Sequence, residues 1–362
     1  MIRRWFTPAL CALLLLAPGS LTAASAAEAP SPAAAPLRVL TRNLYLGADL
    51  APVLAATSPS ALVAAVTTVY ANVQATDFPE RADALADEIA EGDPHLVGLQ
   101  EAVLWRSQTP AGPGSATHVE YDFLQILLDK LAARGKHYEA VATVTVGSDF
   151  EAPRSLPGGG LQDIRLTDRD VLLARTDLPA RNFSVANPQA AVFQSHVEIC
   201  APASPGCAAR IRIERGWVGA DATVRGRTAR VVTTHLEPAS PAVRLQQAGE
   251  LLAGPLNTAL PAVLLGDLNS APGTPPHNAF LTAGFTDAWT ATRPRNPGFT
   301  CCQDADLLNT TSHLTQRIDY VLFRGKIAAR ASDRVGEAQA DRTPSGLWPS
   351  DHAGVWSLLQ LR

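Results

Sequence analysis

The chain has 362 residues, 46% of them hydrophobic, and a formal net charge of −4 with a sequence pI near 6.1. Enough apolar material is present for a substantial core. The acidic balance argues against a protein whose affinity comes mainly from neutralising many phosphates, while leaving nucleic acid open as a substrate. The first segment reads as a secretory signal over residues 1–26: Arg3 and Arg4, an apolar stretch from Ala9 to Ala17, then Ala24-Ser25-Ala26 as the cleavage candidate. That stretch is shorter than the ~20 residues a spanning helix needs, and no other segment is long and uncharged enough to cross a bilayer. Cys11 lies before its middle, which argues against a lipid-anchored cysteine. An exported protein is therefore expected, with an Ala/Pro/Ser-rich disordered lead-in over 27–36.

From Leu37 onward, apolar strands repeatedly end in polar chemistry. Residues 37–43 end in Asn43, and 95–101 end in Gln100-Glu101. Helical spacing is read over 82–91 and 123–134, and strands over 138–146, 170–175, 211–218 and 223–235. Asp170 opens the second of these strands and Arg175 closes it; His235 closes the last. The Gly/Pro/Ser-rich segments 106–120 and 147–167 read as long loops, the natural place for substrate selection. Arg-Leu-Gln-Gln at 244–247 reads as a helix face packed near the site.

The run Val-Leu-Leu-Gly-Asp-Leu-Asn at 263–269 places Asp267 and Asn269 on one side of an extended backbone. Residues 317–322 carry Arg317 and Asp319 into another strand, and Ser350-Asp351-His352 precedes a last apolar run. Trp105 and Trp348 lie beside these motifs as wall or core residues. One site drawing on both ends of the chain needs a single domain over 37–362. Alternating strands and helices fit a layered α/β fold. Cys200 and Cys207 flank the turn-rich Ala-Pro-Ala-Ser-Pro-Gly and are expected to form a local disulfide in an oxidising compartment. The pairing of Cys301 and Cys302 stays open, and a zinc site lacks the repeated Cys-x-x-Cys spacing.

Taken in order, these motifs resemble the endonuclease/exonuclease/phosphatase superfamily, which includes DNase I, exonuclease III-type nucleases, neutral sphingomyelinases and inositol polyphosphate 5-phosphatases. The resemblance implies a four-layer α/β sandwich of two mixed sheets packed face to face, helices outside, with the site at one edge. It implies Glu101 as the direct ligand of Mg²⁺ or Mn²⁺, with Ca²⁺ as a candidate second ion, because hard cations prefer oxygen donors. Asn43 and Asp351 complete the metal environment. Asp267 orients or deprotonates the attacking water, and Asn269 donates to a non-bridging phosphate oxygen. Asp319 hydrogen-bonds His352, fixing its tautomer and favouring the imidazolium.

The Thr-His-Leu run at His235 resembles the DNase I and sphingomyelinase branches, where this histidine serves the leaving group. Asp170 pairs with His235 or caps its strand, Arg317 sets Asp319 or touches substrate, and Arg175 is a weaker substrate candidate. The function implied is a secreted, metal-dependent phosphoesterase, a phosphodiesterase working by in-line attack of water, with nucleic acid favoured. A sphingomyelinase-like lipid phosphodiesterase and a phosphomonoesterase are the alternatives. A binding module that lost its chemistry is disfavoured, because Glu101, Asp267, His235 and His352 are all present. No protein partner is implied, and a monomer is expected.

Overall fold

Residues 35–362 are described in a computed structural model, so the expected signal peptide and most of the lead-in lie outside the described residues. Ala35 and Pro36, assigned above to the lead-in, already belong to the first strand, because they pair with Leu361 and Gln360. The first half of the chain runs β1 (Ala35–Asn43), α1 (Ala51–Leu54), α2 (Pro59–Ala75), α3 (Phe78–Gly92), β2 (Leu96–Gln100), β3 (Leu104–Gln108), β4 (His118–Asp122), α4 (Phe123–Ala133), β5 (Tyr138–Ser155) and β6 (Leu161–Arg175). Then come β7 (Phe183–Val192), β8 (Val197–Cys200), β9 (Arg210–Ile213), β10 (Gly216–Val224), β11 (Arg227–His235), α5 (Pro241–Ala253) and β12 (Ala262–Asp267). The last elements are α6 (Pro275–Thr282), β13 (Thr286–Asp287), α7 (Ala288–Thr292), β14 (Asp319–Arg324), β15 (Ile327–Val335) and β16 (Gly354–Leu361).

Two mixed sheets carry the fold. One has the order β15-β16-β1-β2-β6-β3-β4, with β5 paired to β6, and the other β13-β14-β12-β11-β10-β7. In each, two strands run parallel: β1 with β2, and β11 with β12. Their inner faces share one buried cluster, Val39, Leu96 and Leu172 meeting Val231, Val263 and Leu265. Helices α2, α3 and α4 cover the outer face of the first sheet, where Val69, Leu85 and Leu127 pack with Leu40, Val97 and Leu99. Helices α5 and α6 cover the second through Leu251 and Phe280 against Leu264 and Leu322. This is the four-layer α/β sandwich of DNase I-like type.

The sheets approach most closely next to the strand ends that matter. A Cβ on Gly98 of β2 would meet Thr233 Cβ of β11 at 2.8 Å, so only glycine fits there. Two residues on, Gln100 Nε2 donates to Thr233 Oγ1 at 2.9 Å, while Thr41 Oγ1 donates to Gln100 Oε1 at 3.2 Å. The buried amide is thus satisfied on both sides and pins the sheets together.

Several sequence expectations change. The loop read over 106–120 shrinks to 109–117, because β3 and β4 pair across it. The loop read over 147–167 is instead a long hairpin of β5 and β6. Its Gly158–Gly160 run supplies only the turn; along β6, Ile164 and Leu166 alternate with polar neighbours and are buried. Asp170 therefore lies inside a strand rather than at its start. The expected strand over 211–218 breaks at Glu214 and Arg215, between β9 and β10. Helix α2 went unread, although Val66, Val69, Tyr70 and Val73 have helical spacing and Ser58 Oγ accepts the Ala61 N–H at 3.2 Å. Among the described residues no helix is long and apolar enough to cross a membrane.

At the edge away from the Asn43 end, His95 is buried and its Nδ1 accepts the Arg38 N–H at 3.0 Å. Burial first, then Arg38 and Arg175, push its pKa from 6.5 down to about 4. The folded state favours neutral imidazole, so this contribution is complete above pH 6.5 and lost as pH falls toward 4. We expect His95→Asn to flatten acid destabilisation in that window by on the order of 1–3 kcal/mol in urea melts at stepped pH. Parallel acid limbs for both proteins would contradict this. Cys200 and Cys207, at the turn of the β8–β9 hairpin, are joined to each other. Non-reducing peptide mapping should recover this link, worth roughly 2–3 kcal/mol by the chain-entropy relation; two free thiols would refute it.

Candidate active site

Parallel strand ends build the site. His235 ends β11, Asp267 ends β12 and Asp319 begins β14, and the pairing register aligns His235 with Asp267 and Asp267 with Asp319. From the facing sheet, Asn43 ends β1 and Glu101 follows β2, while His352 precedes β16, the antiparallel neighbour of β1. Six residues far apart in sequence thereby meet at one edge of the sandwich.

Asp267 Oδ2 is the focus. It lies 3.4 Å from His235 Nε2, 3.8 Å from His352 Nε2 and 3.4 Å from Asn43 Nδ2. Asp319 Oδ2 lies 2.8 Å from His352 Nδ1, leaving Nε2 to face the centre. Asp319 is itself held where Thr300 Oγ1 accepts its N–H at 3.2 Å. Glu101 accepts from Asn43 Nδ2 at 3.1 Å and from the Leu46 N–H at 2.7 Å. Tyr45, Glu101 and Asn269 all adopt left-handed backbone, with φ of 58°, 55° and 47°. Such conformations cost about 1–3 kcal/mol each and persist where surrounding contacts over-determine them.

Asn269 departs from the extended geometry expected of it. Its N–H turns back to Asp267 Oδ1 at 2.8 Å, and its Nδ2 donates to the Leu236 carbonyl at 2.9 Å. The turn brings it to the site and leaves one amide N–H unspent. Asn43 also differs, because Oδ1 accepts the Tyr45 N–H at 2.9 Å and its nitrogen faces the carboxylates. It serves here as a donor between Glu101 and Asp267.

Charge is crowded. Glu101, Asp168, Asp170, Asp267, Asp319 and Asp351 converge on two imidazoles. Burial, then Asp319, lift the Asp267 carboxyl to about 7 against the pull of His352. Burial raises Glu101 and Asp351 as well, and Asp351 adds to the rise of Glu101. Burial alone would lower His352, but Asp319, Asp351 and Asp267 outweigh it and hold its pKa well above 6.5. His235 goes the other way, pushed well below 6.5 by burial and then by Arg215 and His352.

Arg215 was missed in the sequence. It sits in the break between β9 and β10, with Nη1 3.3 Å from His235 Nδ1 and 3.7 Å from Asp168 Oδ2. A guanidinium can only donate, so Nδ1 of His235 accepts and the proton sits on Nε2, toward Asp267. Nothing in the local pattern distinguishes Arg215 from Arg210 or Arg212; only its place in a strand break does. Two buried arginines also escaped notice. Arg81 donates to the carbonyls of Leu44, Tyr45, Thr76 and Pro349 at 2.7–3.0 Å, and Arg42 donates to the His352 carbonyl while pairing with Glu88. They tie the segment after β1 to the segment carrying Asp351 and His352.

Other expected residues fall elsewhere. Arg175 lies at the opposite end of β6, beside Ala174, which pairs with Leu96 at the start of β2. It binds Asp93 and Asp177 there, each at 2.6 Å, because β6 runs antiparallel to β2. Arg317 pairs with Asp287 rather than with Asp319. Asp170 is fully buried, and its carboxyl faces the backbone N–H of His235 rather than the ring. The 244–247 segment lies on α5, where Gln247 accepts the Glu237 N–H at 2.9 Å and steadies the chain just after His235. Trp348 is core, and Trp105 is core that also lines a cavity.

A divalent cation fits this donor set. Glu101 and Asp351 offer oxygens, Asp319 Oδ1 lacks a partner, and the raised carboxyls need positive charge to ionise together. Ligand atoms of Asp267, Asp319 and His352 also lie within 4.8 Å of one another, as do those of Cys301, Cys302 and His352. The cysteine group suits zinc less, because Cys301 and Cys302 are bonded to each other and so offer no thiolates.

Comparison with known proteins agrees with the architecture. The sequence profile of the endonuclease/exonuclease/phosphatase family matches residues 69–352. A family protein from Bacteroides thetaiotaomicron is similar in structure, with TM-score 0.57 at 15% identity, covering 91% of this chain and 99% of that one. A mannosyl-6-phosphatase from Bacteroides thetaiotaomicron VPI-5482 gives 0.54 at 16% identity over 89% and 99% of the two chains. The human Nocturnin catalytic domain gives 0.53 at 16% over 90% and 94%. At such identities the likeness speaks for the fold alone. No curated protein matches by sequence.

If the carboxylate cluster takes up a divalent ion, millimolar Mg²⁺ or Mn²⁺ should raise the thermal midpoint by a few degrees, and Glu101→Gln should abolish that shift. An equal shift in the variant would remove Glu101 from the metal environment.

Proposed function

The chain belongs to the endonuclease/exonuclease/phosphatase family, and from that premise we propose a divalent-metal-dependent phosphoesterase that cleaves P–O bonds by in-line attack of water, most suited to phosphodiesters. The observation that carries this reading is the placement of Asp267 Oδ2 between the two imidazole Nε2 atoms, beside the Glu101–Asn43 pair. Glu101 with Asp351 would hold Mg²⁺ or Mn²⁺, which when bound neutralises phosphoryl charge and lowers the cost of forming the nucleophile.

The protein's own groups divide the remaining work. Asp267, whose carboxyl burial and then Asp319 lift to about 7, orients the attacking water and in its carboxylate form takes the water's proton. Asn269 gives its free amide N–H to a non-bridging oxygen without adding negative charge, its other N–H being spent on Leu236. His352, aimed by Asp319, acts at the water or the pentacovalent phosphorus, and His235 presents Nε2–H to the leaving oxygen.

Export of the protein is part of the proposal and rests on Arg3, Arg4 and the apolar stretch that follows; monomeric action is proposed with it. The Thr-His-Leu run at His235 supports a phosphodiester, nucleic acid among them. The acidic balance of the chain weighs against a polyanion and keeps a phosphomonoester as the second reading.

His352→Ala and His235→Ala should each lower turnover by at least ~100-fold, the low end for a positioned acid–base group, with metal binding and folding kept. A nitrophenyl ester, whose leaving group needs little protonation, should partly rescue whichever variant lost the general acid. Near-normal turnover by His235→Ala on every substrate cleaved by the parent would return that residue to a structural role.

A further inference from the structure

A cavity of about 560 Å³ opens directly from the site, with Glu101, Asp351 and Arg215 in its wall. Its size falls in the range of cavities that enclose small organic ligands. Asp49, Asp168, Glu214 and Gln303 also reach the wall, but most of it is apolar. Helix α2 contributes Val66 and Val69, β6 contributes Ile164 and Leu166, and the disulfide-closed hairpin contributes Ile211 and Ile213 of β9. Along β6 the face reads Ile164, Leu166, Asp168 at every second residue, so one strand leads from the apolar wall to the carboxylate cluster.

The hairpin is held over this space. The Ala203 N–H, inside the Cys200–Cys207 loop, donates to the Ala56 carbonyl at 2.7 Å, just past α1. Charge in the wall is one-sided: among the described lining residues Arg215 is the sole basic group, against Asp49, Glu101, Asp168, Glu214 and Asp351. A strand carrying successive phosphates would be repelled there. A ligand with one phosphate and an apolar tail would place its charge at Arg215 and the cation-seeking carboxylates, and its tail against the valines and isoleucines.

We propose that the substrate is an amphiphilic phosphoester, its phosphate at the Glu101–His235 site and its hydrocarbon chain in this cavity. The inference rests on the phosphoesterase reading above and names the class of ester it acts on. Leu54 and Ile213 serve as test positions because both line the cavity and neither is fully buried, Leu54 being 40% exposed.

The test uses the purified protein, Mn²⁺ and methyl, butyl and octyl esters of p-nitrophenyl phosphate. In each, water forms the new P–O bond, the bond to nitrophenolate breaks and the alkyl phosphate remains. We expect kcat/KM to rise about 100-fold or more from methyl to octyl, and Leu54→Asp or Ile213→Asp to lower the octyl-to-methyl ratio at least ~10-fold. Equal rates for all three esters would leave the phosphoesterase reading standing and overturn the apolar subsite, as would plasmid DNA cleaved more efficiently than the octyl ester. Should no ester be hydrolysed with Mg²⁺, Mn²⁺ or Ca²⁺, the phosphoesterase reading fails separately. Calorimetry with octylphosphonate and methylphosphonate then decides the subsite, a tight octyl ligand supporting it and equal affinities overturning it. Turnover of monomeric dihexanoylphosphatidylcholine alone supports a soluble amphiphile as the source, and turnover of dioleoylphosphatidylcholine vesicles supports a bilayer.

Discussion

Burying carboxylates beside one another is the constraint around which this protein is organised. Asp170, Asp267 and Asp319 are almost fully excluded from water, and Glu101, Asp168 and Asp351 stand next to them. Each pair of like charges at such separations disfavours ionisation, and burial disfavours it again. The chain meets this with donors placed one by one: Asn43 between Glu101 and Asp267, the Leu46 N–H on Glu101, the Asn269 N–H on Asp267, and His352 on Asp319. What these donors leave uncompensated is the demand for a cation.

Holding the arrangement requires that strand ends from both sheets stay in fixed relation. Gln100 and Gly98 set the spacing of the sheets beside the site. Arg81, whose guanidinium is completely buried, replaces water for four carbonyls of irregular backbone around Tyr45 and Pro349. Burial lowers its pKa only to about 10, so it stays charged in ordinary buffers. Irregular buried backbone is costly without such partners. The two histidines consequently differ in charge although they face the same carboxylate: Asp319 supports a proton on His352, whereas Arg215 opposes a second proton on His235.

Most of the site could be read from the chain because each residue closes or opens an apolar strand, a local pattern. Asn43, Glu101, His235, Asp267 and Asp319 all carry that mark, and parallel pairing does the rest. The misreadings have physical causes. Gly, Pro and Ser in 147–167 suggested a loop because turn residues dominate the count, while the alternation of Ile164 and Leu166 that makes a strand is sparse. Arg175 looked like a site residue at a strand end, but an antiparallel strand places its two ends at opposite edges of the sandwich. Arg215, Arg42 and Arg81 were invisible because their partners, the His235 ring and the carbonyls of His352 and Pro349, are brought to them only by the tertiary fold.

A hard divalent cation is expected to complete the carboxylate cluster at Glu101. Crystals soaked in Mn²⁺ and measured near the manganese absorption edge test it most directly. An anomalous peak bonded to a Glu101 oxygen, with Asp351 close by, is the result expected. A peak at Cys302 and His352, whose Sγ and Nε2 lie 4.0 Å apart, or no peak in the site at all, would contradict it.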